Sequence, residues 1–138
     1  MSVVRATSPA VLVVEDDPSV QVSLCRVLQH HGFAPLQAET VEAALKILGR
    51  AQIDAVILDL GLPDPWGRDW AGLSLLAYLR LTPDYEMLPV LILTGQTLTP
   101  EDEDLIRRFR ASLFYKPQAY DALVESLNRL TVPHPPAA

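Results

Sequence analysis

Four short apolar runs, each closed by a charged or hydroxyl side chain, constrain this chain more than any other feature. Ala10–Val14, Ala55–Leu58, Val90–Leu93 and the shorter Leu113–Tyr115 run straight into Glu15-Asp16, Asp59, Thr94 and Lys116. Continuous rather than alternating hydrophobicity marks strands covered on both faces, the habit of parallel sheets. The segments between them carry helical periodicity. Val20, Leu24, Val27 and Leu28 recur on one helix face, with Gly32 as a stop after His31. Phe33–Gln37 reads as a weaker second strand. Thr40 is placed to cap a helix with Val41, Ala44, Leu45 and Leu48 on one face. A helix is predicted over 71–81. Thr99-Pro100-Glu101-Asp102 is a helix start, with a capping threonine, a proline and first-turn acids. Tyr120, Leu123, Val124, Leu127 and Leu130 form the stripe of a last helix. Five βα units of this kind imply an α/β, doubly wound parallel sheet with helices on both faces.

The chain has 138 residues, enough for one domain, and 49% of them are apolar, enough for a core. We expect a tail over 1–9, a domain over 10–131 and a proline-rich tail over 132–138. No uninterrupted apolar run exceeds five residues, too short for a membrane helix, and the start lacks the pattern of a signal peptide. A cytoplasmic location is the expectation. Cys25 is the only cysteine, so neither an internal disulfide nor a cysteine metal cluster can form. A formal charge of −6 without a basic block argues against direct nucleic-acid binding.

In a parallel sheet, ligand sites lie at the carboxyl ends of the strands. That rule brings Glu15, Asp16, Asp59, Thr94 and Lys116 to one edge. Two carboxylates ~5 Å apart repel by about 3 kcal/mol at an effective dielectric of ~20. Three need positive charge among them. Lys116 supplies one unit, and an all-oxygen donor set suits Mg²⁺. A carboxylate is also a nucleophile toward phosphorus, and phosphoryl transfer needs positioning and charge neutralisation above all. Asp59 could attack while Asp16 holds a metal and Thr94 and Lys116 take phosphoryl oxygens.

At this point the sequence resembles the receiver domain of two-component response regulators over about residues 9–131. VVEDD is similar to that family's acidic pair, VILDLGLP to its phosphoacceptor segment, VLILTG to its switch-hydroxyl segment and FYKP to its lysine segment. The resemblance implies a flavodoxin-like (βα)5 fold with strand order 2-1-3-4-5. It implies a switch rather than a turnover enzyme, with Asp59 as phosphoacceptor, Thr94 as switch hydroxyl and Lys116 contacting the phosphoryl group. Mg²⁺ would be bound by Glu15, Asp16, Asp59 and the backbone carbonyl of Gly61. The Lys116–Pro117 peptide would be cis. The donor would be a sensor histidine kinase or phosphotransfer protein. A downstream protein, or a second copy, would use the face of helix 4, strand 5 and helix 5.

This sequence departs from the family pattern in four places. The loop after Asp59 is long and carries Trp66, Arg68 and Trp70. Leu113 stands where many receivers have an aromatic, while Tyr115 stands next to Lys116. Gly61 and Gln96 occupy positions that tune phosphoryl lifetime. Phe109 and Arg110 replace a small Gly-Ala pair before strand five. Other residues have plainer expected roles. Asp17 caps helix one beside Pro18, and His30 and His31 suit that helix's C-terminal dipole. Cys25 packs. Asp64, Asp69 and Asp84 are solvated. Two alternatives remain beside the switch: a receiver-like binding module that is never phosphorylated, and a Mg²⁺-dependent aspartyl-phosphate phosphatase. The second lacks the usual acid two residues after its nucleophile, where Gly61 stands. An FMN binder would need a hydroxyl- and glycine-rich loop where EDDPSV stands. Nothing resembling an output domain follows residue 131, though the proline-rich tail is similar to the start of a linker.

Overall fold

The structure, a computed structural model, describes residues 8–62, 71–116 and 120–131. Its elements alternate: β1 Ala10–Val14, α1 Pro18–His30, β2 Ala34–Ala38, α2 Val41–Arg50, β3 Ala55–Leu58, α3 Ala71–Leu81, β4 Val90–Thr94, α4 Pro100–Arg108, β5 Ser112–Tyr115 and α5 Tyr120–Thr131, with a 3₁₀ turn at Pro83–Tyr85. The strands form one parallel sheet in the order β2-β1-β3-β4-β5. This is the flavodoxin-like arrangement expected from the sequence.

Successive strand residues face opposite ways, and they divide the core into two layers. Leu12, Val14, Val56, Leu58, Val90 and Ile92 pack on α2, α3 and α4. Val11, Val13, Ala55, Ile57, Leu91 and Leu93 pack on α1 and α5. Both layers are buried, which explains why β1, β3 and β4 read as unbroken apolar runs.

Three expectations shift. The second strand starts at Ala34, not Phe33, because Phe33 serves the end of α1 instead. Gly32 takes φ +89°, its N–H bonds to Gln29, and the Phe33 N–H reaches back to Leu28 at 3.0 Å while the ring plugs the core. Pro35 is tolerated in β2 because that strand is a sheet edge. On α2 the buried residues are Ala44, Ile47 and Leu48, and Leu45 lies outside the stripe. Leu130 is likewise exposed, at the end of α5. The helix starts are as expected. Asp17 caps α1 by accepting from the Ser19 N–H at 2.9 Å and the Ser19 hydroxyl at 2.8 Å. Thr99 and Asp102 exchange a capping box at the start of α4. Among the described residues no helix is long and apolar enough to cross a membrane.

Candidate functional site

Backbone bonding runs one residue past three of the strands and fixes the polar groups beyond them. The Glu15 N–H donates to Ala38 at 3.0 Å, the Asp59 N–H to Val14 at 3.0 Å and the Lys116 N–H to Thr94 at 2.9 Å. The side chains that follow meet at one sheet edge. Glu15, Asp16 and Asp59 each offer a carboxylate oxygen, all within 4.8 Å of one another. Lys116 Nζ lies 2.7 Å from Glu15 Oε1 and 3.5 Å from Asp59 Oδ2. Thr94 is fully buried at the end of β4, and its hydroxyl oxygen accepts from the Gln96 N–H at 3.1 Å.

The electrostatics follow from burial. Glu15 is nearly inaccessible, so desolvation and the adjoining Asp59 carboxyl push its pKa up to about 7, against the pull of Lys116. Burial opposes the Lys116 charge, yet the bond to Glu15 and the charges of Asp59 and Glu15 prevail and hold its ammonium above the usual range. Asp16 stands exposed at the mouth. The cluster is therefore short of positive charge, offers oxygen donors alone and opens toward solvent. A hard divalent cation fits that donor set.

Glycines shape the floor. The Gly61 N–H donates to Asp59 Oδ1 at 3.1 Å. A Cβ at Gly61 would lie 2.9 Å from Gln96 Nε2 and 3.7 Å from Asp59 Oδ1, so the Gln96 amide occupies the space a side chain would take there. A Cβ at Gly72 would meet the Asp59 carbonyl oxygen and Leu60 Cα at 2.8 Å each. Glycine thus lets α3 press against the backbone that carries Asp59. Leu113 packs in the layer under α2, α3 and α4, while Tyr115, on the same strand face, points its hydroxyl at Glu103 on α4, 3.0 Å away. Trp66, Arg68, Trp70, Asp64, Asp69, Pro117 and the two tails, apart from Ser8 and Pro9, lie outside the described residues.

Two buried polar side chains that donate to backbone carbonyls escaped the sequence reading. Gln21 sits on the buried face of α1, and its Nε2 approaches the carbonyls of Val13, Glu15 and Ala38 at 3.1, 3.0 and 3.0 Å. Arg80 closes the buried face of α3 and donates to the carbonyls of Phe109, Leu88, Tyr85 and Arg110. Both continue the helical stripe of their element, 21-24-25-28 and 72-73-76-79-80. A polar residue in register with a core stripe was the available signal.

Residues 11–128 match the family model described as the response regulator receiver domain. The chain belongs to this family. The phosphate regulon transcriptional regulatory protein PhoB of Escherichia coli is 31% identical over 97 residues, 70% of this chain and 39% of PhoB. The transcriptional regulatory protein PmrA of Pectobacterium parmentieri is 44% identical over 85 residues, 62% of this chain and 35% of PmrA. The chain thus spans well under half the length of these relatives. The structure of the chemotaxis protein CheY4 of Vibrio cholerae matches with TM-score 0.76 at 26% identity, covering 89% of this chain and 98% of that one. Receiver domains of two-component systems are signalling switches rather than turnover enzymes.

Proposed function

We propose that this receiver is switched by phosphorylation of Asp59. A carboxylate oxygen of Asp59 attacks the phosphorus of a phosphohistidine on a sensor histidine kinase or phosphotransfer protein. A P–O bond forms as the N–P bond breaks, and the histidine nitrogen leaves with the electron pair. Glu15, Asp16, Asp59 and the Gly61 carbonyl would hold Mg²⁺, which when bound neutralises charge on the acids and on the incoming phosphoryl oxygens. Lys116 stays near Asp59 and moves from Glu15 toward a phosphoryl oxygen. Thr94 accepts from Gln96 through its oxygen, so its hydroxyl proton can be given to another phosphoryl oxygen. The observation that carries this reading is the meeting of three carboxylates within 4.8 Å, with an ammonium bridging the first strand's acid to the third's.

The new group adds about −1.5 to −2 charge and three acceptor oxygens. Thr94 ends β4 and Lys116 follows β5, so their response propagates to the α4–β5–α5 face, where a downstream protein or a second copy docks. The deciding measurement is the intact mass after incubation with Mg²⁺ and acetyl phosphate. One phosphoryl mass is gained by the wild type, and none by Asp59→Asn or after chelation. No gain in the wild type under any donor would leave a binding module that works unphosphorylated.

A further inference from the structure

The acidic pocket depends on how the β1–α1 connection is held, and that connection is bracketed from within α1. Its far end is fixed by Asp17 at the helix cap. Its near end is crossed by the Gln21 side chain, 4% exposed, whose single amide nitrogen faces three carbonyls at the ends of β1 and β2. One of the three belongs to Glu15 itself. An amide nitrogen carries two protons, so one is shared between acceptors. The amide is also oriented: its oxygen receives the Cys25 thiol at 3.7 Å, and that sulfur accepts from Gln37 Nε2 at 3.3 Å. This leaves the nitrogen turned toward the carbonyls. No described ligand atom touches Gln21, so its effect on the pocket is indirect.

We propose that Gln21 is a positioning residue for the divalent-cation pocket, setting the backbone from which Glu15 and Asp16 reach the ion. The inference rests on the metal-binding reading above. Supporting groups behind metal ligands characteristically affect affinity because they hold the ligands ready before the ion arrives. Without the amide, the Glu15 carbonyl loses its anchor and the acid-bearing turn must be ordered at the moment of binding.

The test is Mg²⁺ titration by calorimetry on the full chain, with thermal unfolding recorded in chelator and in sub-saturating Mg²⁺. Gln21→Met keeps the volume and removes the donor. Gln21→Asn keeps the amide but is a methylene short, and it carries the test if the first variant does not fold. Leu127→Ala, in the core toward the far end of α5, is the destabilised control. Both Gln21 variants are expected to weaken Mg²⁺ binding by roughly 10- to 100-fold, and to lose most of the Mg²⁺-induced rise in melting temperature at sub-saturating ion. Leu127→Ala is expected to melt earlier but bind Mg²⁺ as the wild type does. Wild-type affinity in the folded Gln21 variants would overturn the proposal alone. A wild-type chain that binds no Mg²⁺ would overturn the parent reading and this inference with it.

Discussion

Glu15 carries the strongest conflict in the pocket, because burial and Asp59 oppose its charge while Lys116 and the Asp17 N–H support it. Its folded pKa of about 7 stands above the ordinary 4.5. Between those values the folded state binds the extra proton. Its contribution to stability is therefore fully present below 4.5 and is lost as pH rises through 7. In chelator, urea unfolding at about pH 5 and about pH 8 should show the wild type losing more stability over that rise than Glu15→Gln, which imitates the protonated form. Parallel losses in the two proteins would refute the assignment. Saturating Mg²⁺ should remove most of the wild-type loss, since the ion favours the ionised carboxyl. Gly72 gives a second prediction whose sign opposes helix propensity. Alanine in a helix interior ordinarily gains about 0.5–1 kcal/mol over glycine. Here its Cβ would strike the Asp59 carbonyl and Leu60 Cα, neither of which can swing aside. Gly72→Ala should cost about 1–3 kcal/mol and slow phosphorylation from acetyl phosphate. A stabilised variant with normal transfer would show that α3 does not press on the acceptor strand.

The end of α4 shows how a sequence departure becomes a local strain. Phe109 and Arg110 stand where a small pair was expected, and Arg110 takes φ +57°. The Arg110 N–H bonds to Arg107 and the Ala111 N–H to Ile106, so Arg110 occupies the left-handed position that closes a helix C-terminus. A residue with a Cβ pays about 1–2 kcal/mol there. Arg110 recovers part of this through its guanidinium, which donates to the Glu86 carbonyl at 3.2 Å, and its own carbonyl lies 3.4 Å from Arg80. Glycine would relieve the strain but would cost about 0.5–1 kcal/mol in unfolded-chain entropy. Arg110→Gly is therefore expected to stabilise by about 0.5–1 kcal/mol, read as a raised urea midpoint at unchanged slope. A lowered midpoint would mean that the Glu86 contact outweighs the strain. The element scale also marks where the sequence was readable. Thr40, Thr99, Asp17 and Gly32 announced helix ends because each side chain or glycine satisfies specific backbone groups. The one-residue shift of β2 was hidden, because an edge strand bearing Pro35 has little apolar pattern to fix its start.

For the whole molecule, strand order converts separate sequence signals into one site. The runs ending at Glu15, Asp59, Thr94 and Lys116 were legible because buried parallel strands must be apolar throughout, and a polar residue at such an end has few other places to be. Gln21 and Arg80 showed only as polar residues in register with a core stripe, and what they bind was not legible, because their partners are backbone carbonyls, which carry no sequence signature. The same strand order predicts an asymmetric response. A phosphoryl group at the end of β3 would meet the Glu15 and Asp16 acids on its β1 side and the Thr94 hydroxyl and Lys116 ammonium on its β4 and β5 side. On the proposed reading the acids would be tied to the ion whether or not the phosphoryl is present, whereas Thr94 would give it a proton and Lys116 would have to leave Glu15 to reach it. Lys116 would leave Glu15, and the neighbouring Tyr115–Glu103 bond would link that movement to α4. Hydrogen exchange followed by mass spectrometry, with and without acetyl phosphate in Mg²⁺, should therefore change in peptides covering α4, β5 and α5. Peptides of β2 and α2, Ala34–Ala38 and Val41–Arg50, should exchange alike in both states. A ligand shifts an equilibrium only by its differential contacts with the two states, and those contacts lie on the β4–β5 flank. A response centred on α2 would mean that the acids of β1, not Thr94 and Lys116, transmit the signal.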